Sequence, residues 1–138
     1  MIRQLSIFAE NKKGAMGRIT QILFENGINL NALITNDSAE FGIIRMLVSD
    51  TDLAANVLQK AGYMCHSDVV VAAEITDECG SVNGLLDVIS DGNINLDYLY
   101  VTYNTLSRLP VAILKAVDLM EVEEFLQARG YKVLERID

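Results

Sequence analysis

The second half of the chain repeats the pattern of the first. Gly14 and Gly80 lie 66 positions apart, as do Asn29-Leu30 and Asn95-Leu96. Leu58-Gln59-Lys60-Ala61-Gly62-Tyr63 returns as Leu126-Gln127-Ala128-Arg129-Gly130-Tyr131 at an offset of 68. Three matches in one order, with an offset that drifts by two, mean a duplicated unit with a small loop insertion. The copies span 1–68 and 69–138. No Pro-, Ser- or Gly-rich stretch separates them, so two units packed together are expected, not two on a tether.

Each copy carries the same run of elements. Residues 2–9 alternate, with Leu5, Ile7 and Ala9 on one side and Gln4, Ser6 and Phe8 on the other, which predicts a half-buried strand. Asn11-Lys12-Lys13-Gly14 makes a turn, and Met16, Ile19, Ile22 and Leu23 follow helical spacing. Asn26-Gly27 closes that helix. Strands near 28–36 and 41–48 flank the turn formers Asn36-Asp37-Ser38. Asp50-Thr51-Asp52 caps a second helix that Gly62 stops, and a fourth strand runs from Tyr63. The second copy gives a strand at 69–76 and a helix stripe Val82, Leu85, Val88 and Ile89. Strands follow near 94–104 and 108–117, and Asp118 with Glu121 resembles a capping box for a last helix ending at Gly130. The order βαββαβ, twice, is the ferredoxin-like arrangement, α+β with helices on one face of a mainly antiparallel sheet.

Composition narrows the function classes. Among 138 residues, 51% are hydrophobic, and Lys+Arg 11 against Asp+Glu 19 gives a net charge of −8 and a pI near 4.5. That hydrophobicity excludes a disordered chain, and the acidity argues against nucleic acid or an anionic membrane as partner. Apolar runs such as Val69-Val70-Val71-Ala72-Ala73 are far shorter than the ~20 residues of a membrane helix. Met1-Ile2-Arg3-Gln4-Leu5 shows no secretory pattern, and Cys65 and Cys79 form no disulfide framework. A cytoplasmic location is expected.

Catalytic chemistry has little to stand on. The single histidine lies in Cys65-His66-Ser67-Asp68, where a strand would turn His66 and Asp68 one way and Cys65 the other. No metal spacing is present and no third group converges, so His66 reads as a structural or surface residue. Cys79 lacks nearby cations to activate it. Glu121, Glu123 and Glu124 make a solvated face near a helix start, and Tyr98, Tyr100 and Tyr103 read as sheet packing before ligand stacking. No catalytic residue, metal ligand or cofactor is expected. The strand-to-helix turns are more telling: a glycine precedes a helix start in both copies, Gly14 before Ala15-Met16 and Gly80 before Ser81-Val82. Backbone N–H groups at a helix start favour anions, and glycine allows close approach.

Asn11-Lys12-Lys13-Gly14-Ala15-Met16 followed by Gly27-Ile28-Asn29-Leu30 resembles the signature of the ACT domain family, as does Asp77-Glu78-Cys79-Gly80 with Asn93-Ile94-Asn95-Leu96. Lys13 and Cys79 stand where that signature has proline, and Asn93 where it has glycine. The resemblance covers the whole chain as a tandem pair. It implies two units side by side through their second strands, an eight-stranded sheet with helices on one face, and regulation by an amino acid. It further implies two cross-copy ligand sites: Asn11, Gly14, Ala15 and Met16 with Asn95, and Asp77, Gly80, Ser81 and Val82 with Asn29. A free-standing, non-enzymatic amino-acid sensor is the first expectation, with a protein partner or a homodimer to receive its output. The alternative is a protein–protein interaction module with vestigial ligand sites. An enzyme using Cys65 and His66 is the third reading.

Overall fold

A computed structural model of the chain describes residues 1–10, 12–35 and 41–137, with Phe41 described by its backbone alone. In chain order the elements are β1 (Ile2–Glu10), α1 (Ala15–Glu25), β2 (Leu30–Thr35), β3 (Phe41–Val48), α2 (Thr51–Lys60) and β4 (Met64–Glu74). Then come α3 (Ser81–Asp91), β5 (Leu96–Tyr103), β6 (Pro110–Ala116), α4 (Leu119–Ala128) and β7 (Lys132–Val133). The turn expected at Asn36-Asp37-Ser38 lies outside the described residues. Tertiary contacts divide the chain into two compact units, one of Arg3–Asp68 and one of Met1–Ile2 with Val69–Asp138.

In the first unit the strands lie in the order β2-β3-β1-β4. β1 pairs antiparallel with β3, placing Leu5 opposite Met46 and Ile7 opposite Ile44. These four side chains share a face because alternate residues of a strand point the same way. Ile19 and Leu23 of α1 and Ala54 and Leu58 of α2 close over them as one buried cluster. The other face of β1 departs from the half-buried expectation: Gln4 and Ser6 are buried too. Alternation in the sequence marks polar residues as outward-facing, and it carries no information about what covers that face.

The second unit repeats the order as β5-β6-β4-β7. Val71 stands opposite Leu114 and Ala73 opposite Ala112, with Leu85, Ile89, Val122 and Leu126 of the two helices packed on that face. β4 is one continuous strand whose first residues belong to the first unit and whose later residues belong to the second. The expected eight strands are therefore seven among the described residues: the strands expected from Tyr63 and over 69–76 join without a break. A second correction concerns the second strands of the two copies. β2 is hydrogen-bonded to β3, and β5 to β6, with no further strand partner for either among the described residues.

The helix ends show how local sequence sets these elements. Asp50 accepts from the Leu53 amide at 3.0 Å and Asp118 from the Glu121 amide at 3.1 Å, side-chain caps at the starts of α2 and α4. At the other end each helix closes by one device, an amide bonding back five residues: Ile28 to Leu23, Tyr63 to Leu58, Ile94 to Ile89 and Tyr131 to Leu126. The residue before each of these amides is left-handed: Gly27, Gly62, Asn93 and Gly130. Asn93 has φ 53°, and asparagine is among the few side chains that tolerate that region, so it replaces the signature glycine without changing the geometry.

Candidate functional site

The site grows from the turn between β1 and α1. Gly14 has φ 85° and ψ −4° and is the N-cap of α1, with no side-chain cap hydrogen bond and no acidic residue in the first turn. A side chain at that φ would be strained, so glycine here follows from the turn itself. Gly80 repeats the arrangement, with φ 87° and ψ 1° before α3. Each helix start thus presents backbone N–H groups rather than a side-chain carboxylate, an electrostatic setting that favours a ligand anion.

Gly14, Ala15 and Met16 line a cavity of about 400 Å³ together with Thr35 at the end of β2 and Gly42 and Ile43 of β3. Met16, expected in the apolar stripe of α1, is instead 46% exposed and forms part of this wall. Thr35, Gly42 and Ile43 were not legible as site residues, because strand pairing and not sequence distance brings them to the loop. Asn11 lies outside the described residues. Asn29 is exposed just before β2, where its side-chain amide donates to Asn31 at 2.9 Å and its backbone amide to the Ser49 hydroxyl at 2.9 Å.

In the second unit, Ser81 lines a smaller hollow of about 360 Å³ with Ile75, Thr76, Gly84 and Tyr131. Asp77, Gly80 and Val82 are not among the residues of its wall. Asn95 is exposed immediately before β5. The structure therefore gathers Gly14, Ala15 and Met16 around one cavity, sets Ser81 and Val82 at the start of α3, and leaves Asp77 and Gly80 on the loop before it and Asn29 and Asn95 just before β2 and β5.

The residues weighed for catalysis do not assemble. Cys65 is buried, its thiol donates to the Ala55 carbonyl at 3.7 Å, and burial pushes its pKa up, away from a reactive thiolate. His66 faces the other way and stacks on Phe8 with ring centroids 6.2 Å apart. Tyr98 and Tyr100 stack on each other at 6.4 Å, in keeping with the packing role expected, whereas Tyr103, grouped with them in the sequence, is exposed. Among the described residues no group of three or more His, Cys, Asp or Glu is placed to hold a metal ion. No described helix is long and apolar enough to cross a membrane.

Two ferredoxin-like units, each opening its first helix with a left-handed glycine, define the class. The chain belongs to the ACT domain pair family, whose model matches residues 1–122. Its structure is similar to that of protein BT0572 from Bacteroides thetaiotaomicron, with TM-score 0.88 and 28% identity over 96% of this chain and 91% of that one. The regulatory subunit of aspartate kinase from Thermus thermophilus, in its ligand-free form, shares the fold at TM-score 0.68 and 12% identity, over 92% and 89% of the two chains. Aspartate kinase from Synechocystis matches 99% of this chain with 27% of its own length, at TM-score 0.60 and 14% identity. A search of curated proteins finds no match.

Proposed function

We propose that this protein is a non-enzymatic, cytoplasmic regulatory protein that senses an amino acid through its β1–α1 and β4–α3 loops. The observation that carries this reading is the cavity beside Gly14, where a helix start without a capping side chain meets the end of a strand pair. A carboxylate fits the amide-rich helix start, while Asn or Asp side chains accept from the ammonium. In this reading the copies, 1–68 and 69–138, each contribute to both sites. Asn95 completes the site of Asn11, Gly14, Ala15 and Met16, and Asn29 completes that of Asp77, Gly80, Ser81 and Val82. Because β2 and β5 each keep one edge without a strand partner among the described residues, a second chain is the natural source of the completing strand.

A thermal-shift screen against the twenty amino acids tests the reading. A specific ligand at a hundredfold excess over its Kd adds roughly 2.7 kcal/mol of stability, a shift well within reach of the method. Asn95→Ala then weakens binding at the Gly14 loop about tenfold or more, the value of a hydrogen bond to a charged group. No shift with any amino acid would rule the sensor out. One observation favours the alternative, an interaction module with vestigial sites: the same strand edges expose Leu33, Val101 and Tyr103. A dimer that forms without any amino-acid response would support that alternative.

A further inference from the structure

The β1–α1 loop of the first unit has a second cavity, about 650 Å³, between the loop and the turn joining α2 to β4. One wall is cationic, formed by Lys12, Lys13 and Arg18, with Glu10 the one acid among the lining residues and 3.3 Å from the Lys12 ammonium. The rest of the lining is largely apolar, with Phe8, Ala61, Tyr63 and Met64. The Arg18 guanidinium lies over the Tyr63 ring, 5.7 Å from its centroid. A guanidinium that lies over a ring still has N–H donors to offer a second, planar or tetrahedral acceptor.

The duplication allows a direct comparison. The hollow of the second unit is built from the same positions, since Glu74, Ile75, Ser81, Gly84 and Tyr131 follow Phe8, Ala9, Ala15, Arg18 and Tyr63 by 66 to 68 residues. The tyrosine is retained, but Gly84 replaces Arg18, Glu74 replaces Phe8, and Glu78 and Cys79 stand where Lys12 and Lys13 stood. Lys132, in place of Met64, stands opposite the acidic Glu74 in the β4–β7 register. The second copy forms the same strand, turn and helix with Glu78, Cys79 and Gly84 at these positions, so the fold itself does not require three cations there. The first copy concentrates positive charge around a cavity of ligand size, in a chain whose net charge is −8.

We propose that this cavity binds a phosphate monoester with an apolar or aromatic body, one per chain. Three lining cations against one acid match a dianion, whereas a carboxylate carries a single charge. Arg18 supplies the fork that suits phosphate oxygens, Lys12 and Lys13 add point charges, and the Phe8–Met64 wall receives the organic part. The cavity adjoins the one proposed for the amino acid and shares Ala9, Glu10, Lys12, Gly14 and Ala15 with it, but Phe8, Lys13, Arg18 and the turn from Ala61 to Met64 line this cavity and not the other.

Amide-resolved NMR titration of the full chain with phenyl phosphate tests the proposal. Saturable shifts at Gly62, Tyr63 and Met64 with one equivalent per chain are expected, while Gly130, Tyr131 and Lys132 stay in place. Arg18→Gln should weaken binding about tenfold or more, and Lys13→Gln, at an exposed position, by a smaller factor. Inorganic phosphate should bind more weakly than phenyl phosphate, and benzyl alcohol should leave these amides unmoved. Shifts absent from Gly62–Met64 at millimolar phenyl phosphate, equal binding of inorganic phosphate, or unchanged affinity in both variants would overturn it. Failure here leaves the amino-acid reading standing, since Gly62, Tyr63 and Met64 do not line that cavity.

Discussion

Two residue types decide the loops of this protein, and they do so through backbone conformation. At Gly14 an added Cβ would meet no heavy atom within 4 Å, so replacing the glycine costs conformation and not space. Gly14→Val should therefore lower stability by about 1–2 kcal/mol, the left-handed penalty of an L-residue, as measured by denaturant unfolding. Asn93→Gly should cost nothing measurable, because φ 53° suits both residues. Cys65 gives a pH signature of the opposite kind. Burial raises its folded pKa, so the folded state holds the thiol proton more tightly than the unfolded state does. That contribution is fully present below the ordinary thiol pKa and is lost as pH rises through the folded value. Stability should thus fall on the alkaline side more steeply in the wild type than in Cys65→Ala, as followed by urea unfolding across alkaline pH. Cys79, exposed in its loop, should meanwhile react with a thiol reagent well before Cys65.

At the scale of elements, the helices are the most legible part of the sequence and their contacts the least. Asp50 and Asp118 were identifiable as caps from position alone, and each holds the amide three residues on. Asp118→Ala should cost about 1 kcal/mol by thermal or urea unfolding. Gly92 was not identifiable. It is the C-cap of α3, and a Cβ there would stand 2.8 Å from Cζ of Phe125 on α4, whose ring is covered on one face by Arg129 at 4.8 Å. Gly92→Ala should then destabilise by about 1–3 kcal/mol, the usual cost of overpacking, and Gly92→Ala with Phe125→Leu should recover part of the loss. Helix period and capping chemistry are local and can be read from neighbouring residues. Contact between α3 and α4 depends on positions more than thirty apart.

For the whole molecule, the two copies share a scaffold and differ in charge. Residues 1–68 carry six Lys/Arg and seven Asp/Glu, and residues 69–138 carry five and twelve. Lys12 and Lys13 precede Gly14, whereas Asp77 and Glu78 approach Gly80. A carboxylate at the first loop meets two cations and at the second two anions, each worth several tenths to a few kcal/mol at about 4–8 Å before screening. Asp77 would hold an ammonium more firmly than Asn11, but one such contact does not offset four unfavourable or missing charge terms. The Gly14 loop should accordingly bind an amino acid first and tighter. By calorimetric titration, Gly14→Val should abolish the high-affinity phase and Gly80→Val should leave it largely intact. The reverse ranking would sink the charge argument. Since Gly14→Val removes only about 1–2 kcal/mol from a typical 5–15, the variant remains folded enough for the measurement.

The sequence by itself determined the duplication, the βαββαβ order of each unit, the caps and the left-handed stops, because each depends on residues within a few positions or on a repeat of fixed offset. It also marked Gly14 and Gly80 as special, since only a turn of that hand needs glycine before a helix in both copies. Tertiary structure alone decided that β4 is one strand serving both units, that Gln4 and Ser6 are buried, and that β2 and β5 keep a bare edge among the described residues. It alone set Thr35, Gly42 and Ile43 beside the first loop and laid Arg18 on Tyr63. These depend on which strands pair and how the helices seat. Many weak contacts between distant residues settle such pairings jointly, and no short stretch of sequence encodes their sum.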